Sequence, residues 1–254
     1  MTRNWDRRLR AGNIGLAVIH AAQAAAILAL STSFALPVTG AFMSGPPGSG
    51  TPAQETLFHV RIGPVVAAFL LLAALDHALV GLPLRRRYEA ALARGVNPYR
   101  WLEYSVSASL MVALIAMLTG VADYVALLGL MGVNAAMILF GWLMELFNPP
   151  DRERTRWLPF VFACVAGVVP WIAIGAQIGV SVAKGNPPPA FVYAIFVTLF
   201  LLFNSFAVNQ ALQYARVGRW RDYRYGEWCY LVLSLVAKSL LAWQVFANAL
   251  VLKP

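Results

Sequence analysis

The sequence predicts an all-α membrane protein: seven transmembrane helices in one bundle, N-terminus cytoplasmic and C-terminus extracellular. Three observations carry this. Apolar residues make up 60% of the 254 and charged residues only 12%, too few charges to coat a water-soluble globule. The apolar residues fall into seven windows, each near the roughly 20 residues a helix needs to cross a bilayer. Basic residues collect in alternate connections, as the positive-inside rule requires. Little chain is left over, so residues 1–254 form a single domain.

The first window, Ile14–Ala35, follows Arg3, Arg7, Arg8 and Arg10. A basic start before an apolar run also describes a secretory signal. This run is longer than a signal core and carries Asn13, His20 and Gln23 on one helical stripe, so it reads as a retained helix. The next connection, about residues 37–56, is rich in Gly, Pro, Ser and Thr and includes Gly45-Pro46-Pro47-Gly48-Ser49-Gly50. It reads as a long extracellular loop, either mobile or functional. The remaining windows are Ile62–Gly81, Trp101–Gly120, Tyr124–Phe147, Trp157–Ala183, Pro189–Ala215 and Gly226–Leu252.

Sixteen arginines, from Arg3 to Arg224, lie in the N-terminus and the second, fourth and sixth connections, against Arg61, Lys184 and Lys253 on the other side. This asymmetry sets the orientation and places the chain as a multi-pass protein of the cell membrane. The formal charge of +9 is thereby accounted for by anionic lipid headgroups, with a cytoplasmic signalling partner as the alternative and no nucleic acid required. Cys164 and Cys229 sit in apolar stretches without a Cys-x-x-Cys or Cys/His cluster, so they read as buried structural thiols. No metal-ligand set and no catalytic constellation is visible, and the chain is read as a non-enzyme.

One basic residue belongs to neither side. Lys238 stands about thirteen residues into the last window, where a charge costs about 2.5 to 3.5 kcal/mol and snorkelling is difficult. It is either half of an ion pair that locks two helices or a nucleophilic amine that condenses with an aldehyde. The candidate counter-charge is Glu103 in the third window, unless that carboxylate pairs locally with Arg100 at i−3. Glu227, Ser234 and Lys238 share one helical face. Ser234 either bonds toward the lysine nitrogen or returns its hydroxyl to the i−4 carbonyl. His20 with Gln23, and His77 with Asp76, add polar groups at similar depth. Two histidines on adjacent spans also admit a bis-histidine haem, which leaves Lys238 and Glu103 without a role.

Seven spans, the lysine in the seventh and the glutamate in the third resemble the retinal proteins, and among them the heliorhodopsins. The most specific pieces are Arg100-Trp101-Leu102-Glu103-Tyr104-Ser105, Phe203-Asn204-Ser205-Phe206-Ala207-Val208-Asn209-Gln210 and Ser234-Leu235-Val236-Ala237-Lys238-Ser239. The cytoplasmic N-terminus, inverted relative to other microbial rhodopsins, is that family's hallmark. The resemblance implies all-trans retinal on Lys238 as a protonated Schiff base, with Glu103 as counterion and Ser234 nearby. It implies a polar cavity of Asn13, His20, Gln23, His77 and Trp243. Ala73 stands where relatives often place a serine one turn before the second-helix histidine. Pocket walls carried over from the family are Tyr104, Ser107, Met111, Asn134, Met137, Ile138, Trp171, Phe203, Asn204 and Gln210, each of which helix packing would also explain. Proton pumps commonly carry a second carboxylate one turn before the lysine and a donor carboxylate eleven residues after the counterion. Here those positions are Ser234 and Leu114, which points to a photosensor instead of a light-driven transporter or channel. The family's dimers, with Gly175-x-x-x-Gly179 on the fifth window, imply a homodimer.

Overall fold

A computed structural model describes residues 2–50 and 52–251; Lys253, counted above on the outer side, and Leu252 lie outside the described residues. In order, the elements are α1 (Thr2–Leu30), β1 (Ala35–Phe42), β2 (Ala53–Arg61), α2 (Ile62–Gly81), α3 (Arg85–Ala93), α4 (Pro98–Leu118), α5 (Tyr124–Leu146), α6 (Leu158–Ala183), α7 (Ala190–Tyr214) and α8 (Tyr223–Val245), which ends in a π turn at Phe246–Leu250. All helices except α3 are long and apolar enough to cross a membrane, giving the seven spans.

Side-chain caps begin three of these helices. Asn97 Oδ1 accepts from the Arg100 amide before Pro98 opens α4, Asp123 Oδ1 accepts from Ala126 before α5, and Asp222 Oδ1 accepts from Arg224 before α8. Each cap supplies an acceptor to an amide the helix itself leaves unbonded, and proline at the first position has no amide to satisfy. The caps move two starts outward from the expected windows: α4 begins at Pro98, not Trp101, and α8 at Tyr223, not Gly226. At the other end of the chain, α1 extends back to Thr2 and stops at Leu30.

The bundle is mostly helical, as expected, but the connection over residues 37–56, expected as a long loop, is largely a β-hairpin. β1 and β2 form an antiparallel two-stranded sheet, with Ala35 opposite Arg61, Phe42 opposite Ala53, and an irregularity between Val38 and Thr39. The Gly/Pro segment is only its tip. The hairpin is pinned to the turn before α5, where the Thr39 amide donates to the Ala122 carbonyl at 2.8 Å.

The arginine-bearing connections meet at the opposite end. Arg224 Nε lies 2.8 Å from Asp6 Oδ1, tying α8 to α1, and an Arg216 nitrogen donates to the Pro150 carbonyl at 2.9 Å. The short α3 lies there too, its Tyr88 and Leu92 packed with Leu9, Leu16 and Val80. Burial pushes the Tyr88 hydroxyl pKa up, so that hydroxyl stays neutral. The main hydrophobic core fills the hairpin half of the bundle: Ala24, Ile27, Phe69, Leu70, Leu114, Ile115, Leu241 and Val245 are all buried there.

Candidate functional site

Lys238 and Glu103 meet. The Lys238 ammonium donates to both Glu103 carboxylate oxygens at 2.8 Å, and the two side chains are only 5% and 6% exposed. Counted from the expected helix starts, the two residues sit at different depths. The structure resolves this with a cross-link: the Asn97 side-chain amide donates to Glu227 Oε2 at 2.7 Å, so those two positions are level. Glu103 lies six residues beyond Asn97 and Lys238 eleven beyond Glu227, which leaves an offset of five residues, about 7.5 Å of helix. The long lysine stem and the glutamate side chain close it. Arg100 is not the local partner of Glu103; it turns away to other acids.

An apolar cavity of about 360 Å³ ends at this ion pair. Of the expected wall residues, Tyr104, Ser107, Met111, Met137, Ile138, Trp171, Phe203, Asn204 and Gln210 line it, together with Ser234 and Lys238. Trp171 follows Pro170 inside α6, is 8% exposed, and meets the edges or faces of Phe196, Phe200 and Phe203 at 5.4 to 5.8 Å. Asn134 is not in the wall, because its amide is held by the Ser109 hydroxyl at 3.1 Å. Asn204 is at the exposed rim, its amide returned to the Phe200 carbonyl. Trp101, Gly141, Phe206 and Tyr230 are among the further wall residues that were not foreseen. Gly141 has a steric reason: a Cβ there would lie 2.5 Å from the Trp101 ring. Cys164 corrects the expectation of a buried thiol. It is exposed on α6 and also lines the cavity, consistent with a lipid-facing position where a thiol behaves as a small hydrophobe.

The residue types fit a polyene aldehyde. One primary amine stands at the end of an otherwise apolar, aromatic-walled space with its counter-charge in place. Three buried hydroxyls on that lining, Ser107 Oγ, Ser234 Oγ and Tyr230 Oη, have no hydrogen-bond partner in the protein.

The expected polar cluster forms between α1, α2 and α8, with one exception. His20 is fully buried with neither ring nitrogen partnered, its ring 5.8 Å from that of His77 and nearly parallel to it. His77 Nδ1 is 2.8 Å from Asn13 Oδ1, and Gln23 donates to the Ser239 hydroxyl at 2.9 Å. Trp243 does not join them: it is 40% exposed and stands edge-on to Phe246. It lies five residues beyond Lys238, about 140° around the helix. A porphyrin between the histidines finds no slot. α1 and α2 approach so closely that a Cβ on Gly81 would lie 3.1 Å from Ile14 and 3.6 Å from the Asn13 Cβ.

A second buried charge cluster was missed. Arg100, 5% exposed, is bridged to Glu145 Oε1 at 2.5 Å and to Glu227 Oε1 at 2.8 Å. Its guanidinium lies 3.7 Å from the Tyr230 ring centroid and 4.3 Å from that of Trp101. The Asn97 amide and the Tyr223 hydroxyl also donate to Glu145, at 2.8 and 2.9 Å. The cluster bolts α4, α5 and α8 together.

The heliorhodopsin family profile matches residues 9–250. Among solved structures, a light-driven proton pump from Leptosphaeria maculans is 15% identical with a TM-score of 0.65, covering 94% of this chain and 95% of its own. Cyanorhodopsin from the cyanobacterium Calothrix sp. NIES-2098 is 15% identical with a TM-score of 0.59, over 97% of this chain and 94% of its own. At that identity both show a shared fold. No curated protein matches the sequence. The chain belongs to the heliorhodopsin family and is a multi-pass membrane protein with a microbial-rhodopsin fold.

Proposed function

We propose that this heliorhodopsin is a light sensor that carries all-trans retinal on Lys238, with Glu103 as the counterion. The observation that carries the reading is the Lys238 nitrogen, held 2.8 Å from both Glu103 oxygens at the end of an apolar cavity. Retinal, once condensed with that amine, supplies a conjugated protonated imine that absorbs visible light and isomerises. Glu103 holds the positive charge on the nitrogen in a medium of low dielectric. Ser107 and Ser234 offer hydroxyls to a polar group inside the cavity, and Trp171 with Phe203 confines the chain. In this reading a proton released near Glu103 passes into the neighbouring polar cluster of His20, His77, Asn13 and Gln23.

A sensor is favoured over a pump by the asymmetry around Lys238. The buried ions Arg100, Glu145 and Glu227 and the His77–Asn13 pair lie toward the arginine-bearing end, while Leu114, Ile115, Leu241 and Val245 are buried on the hairpin side, a poor path for vectorial proton transfer. In this reading the arginine-bearing end is cytoplasmic, and light changes the shape of the connections there for a signalling partner. The chain acts as a homodimer. Of the Gly175-x-x-x-Gly179 pair, Gly179 opens outward, while Gly175 already faces Phe196 of α7.

The test is to add all-trans retinal to expressing membranes. The expected result is a visible band that hydroxylamine bleaches, with no light-driven pH change in intact cells. A colourless product refutes retinal binding; a sustained light-driven pH change refutes the sensor.

A further inference from the structure

At the arginine-bearing end, a cleft separates the start of α1 from the segment that leads into α8. Its rim carries the exposed side chains of Arg8, Arg219 and Arg221, and its floor the half-buried rings of Trp5 and Tyr225, 6.1 Å apart and edge to face. The guanidiniums are placed by their neighbours. Arg8 stands 5.5 Å over the Trp5 ring and Arg219 6.0 Å over the Tyr225 ring. Arg221 is held through its Nε, which donates to the Arg216 carbonyl at 3.0 Å, so that bond does not use its terminal nitrogens.

Among the described residues none of these three arginines meets a carboxylate within ion-pair distance, although Arg224 close by is paired with Asp6. The one acid in the cleft, Asp222, has an oxygen committed to the amide that caps α8. Three fixed cations thus face a single, partly engaged anion. Such an excess attracts a doubly charged anion, and guanidinium forks match the oxygens of a phosphate. Zwitterionic headgroups bring their own cation and fit poorly. The aromatic floor suits a position at the membrane interface.

We propose that this cleft is a specific binding site for a phosphate monoester, carried either by a lipid headgroup such as that of phosphatidic acid or by a soluble phosphate. A second arginine-rich cleft, lined by Arg10, Arg85, Arg86 and Arg87, provides the contrast. It has no aromatic floor, and Arg85 is already bridged to Glu89 at 2.6 Å.

The test is native mass spectrometry of the full-length protein with phosphatidic acid and phosphatidylcholine. The parent chain should retain one phosphatidic acid in preference to phosphatidylcholine. The double variant Arg219→Gln/Arg221→Gln should lose about tenfold in affinity, the scale of one or two charge-assisted hydrogen bonds. Arg86→Gln/Arg87→Gln removes the same charge elsewhere and should bind like the parent. Unchanged melting temperatures confirm that both variants fold. Displacement of the lipid by millimolar inorganic phosphate assigns the site to a soluble phosphate, and resistance assigns it to the headgroup. Equal losses in both double variants, or a loss in neither, overturn the site.

Discussion

Two buried ionic centres lie along α4 and α8, and they differ in what surrounds them. Lys238 and Glu103 are matched one to one and border a cavity. Arg100 faces two acids, Glu145 and Glu227, and is enclosed by hydrogen bonds and aromatic rings. The first has free volume beside its cation; the second is held between three helices by two ion pairs and two aromatic faces, although the Trp101 Nε1 and the Tyr230 hydroxyl beside it lack hydrogen-bond partners. Burial of charge therefore does not distinguish a ligand site from a brace. The space beside the charge does.

Substitutions sharpen or break this contrast. The largest effect belongs to Lys238→Ala, which should leave a folded protein with no visible band at any retinal concentration; a remaining hydroxylamine-sensitive band would mean that another amine carries the chromophore. Next is Arg100→Ala, which strands two buried carboxylates and should cost about 3–5 kcal/mol of stability. It is read from thermal or denaturant unfolding in detergent, and parental stability would reduce the brace to an ornament of the helix ends. Glu103→Gln should keep the fold but move the absorption band to the red and lower the pH at which the imine loses its proton, since the counter-charge that favours the protonated form is gone. An unmoved spectrum with an unmoved titration removes Glu103 from the role. Smallest is Tyr223→Phe, which deletes one of several donors to Glu145 and should cost about 0.5–1.5 kcal/mol with no spectral change.

The spans and the lysine–glutamate pair were legible in the sequence because each contrasts with its surroundings. An apolar run is conspicuous among polar connections, and a lone charge is conspicuous inside such a run. The hairpin was not, because β1 carries Pro37 and Gly40, β2 is exposed along nearly its whole length, and the Gly/Pro tip between them reads as a loop. Arg100 was open to a local pairing with Glu103 because i−3 contacts can be read along one helix, whereas Glu145 and Glu227 lie 45 and 127 residues further along the chain. Trp101 and Tyr230 carry no signal that separates a cavity wall from ordinary helix packing. Trp243 is the opposite case. Family likeness placed it beside His20 and His77, although its angular position relative to Lys238 already pointed elsewhere.

The absence of a side chain at Gly141 makes the thickness of one cavity wall depend on a single hydrogen atom. Any larger residue there must push the Trp101 indole, and the direction it yields sets the room left for the polyene and the twist imposed on it. With retinal on Lys238 as proposed, a methyl group at position 141 is expected to move the absorption band by way of the Trp101 ring, leaving the charges on Lys238 and Glu103 as they are.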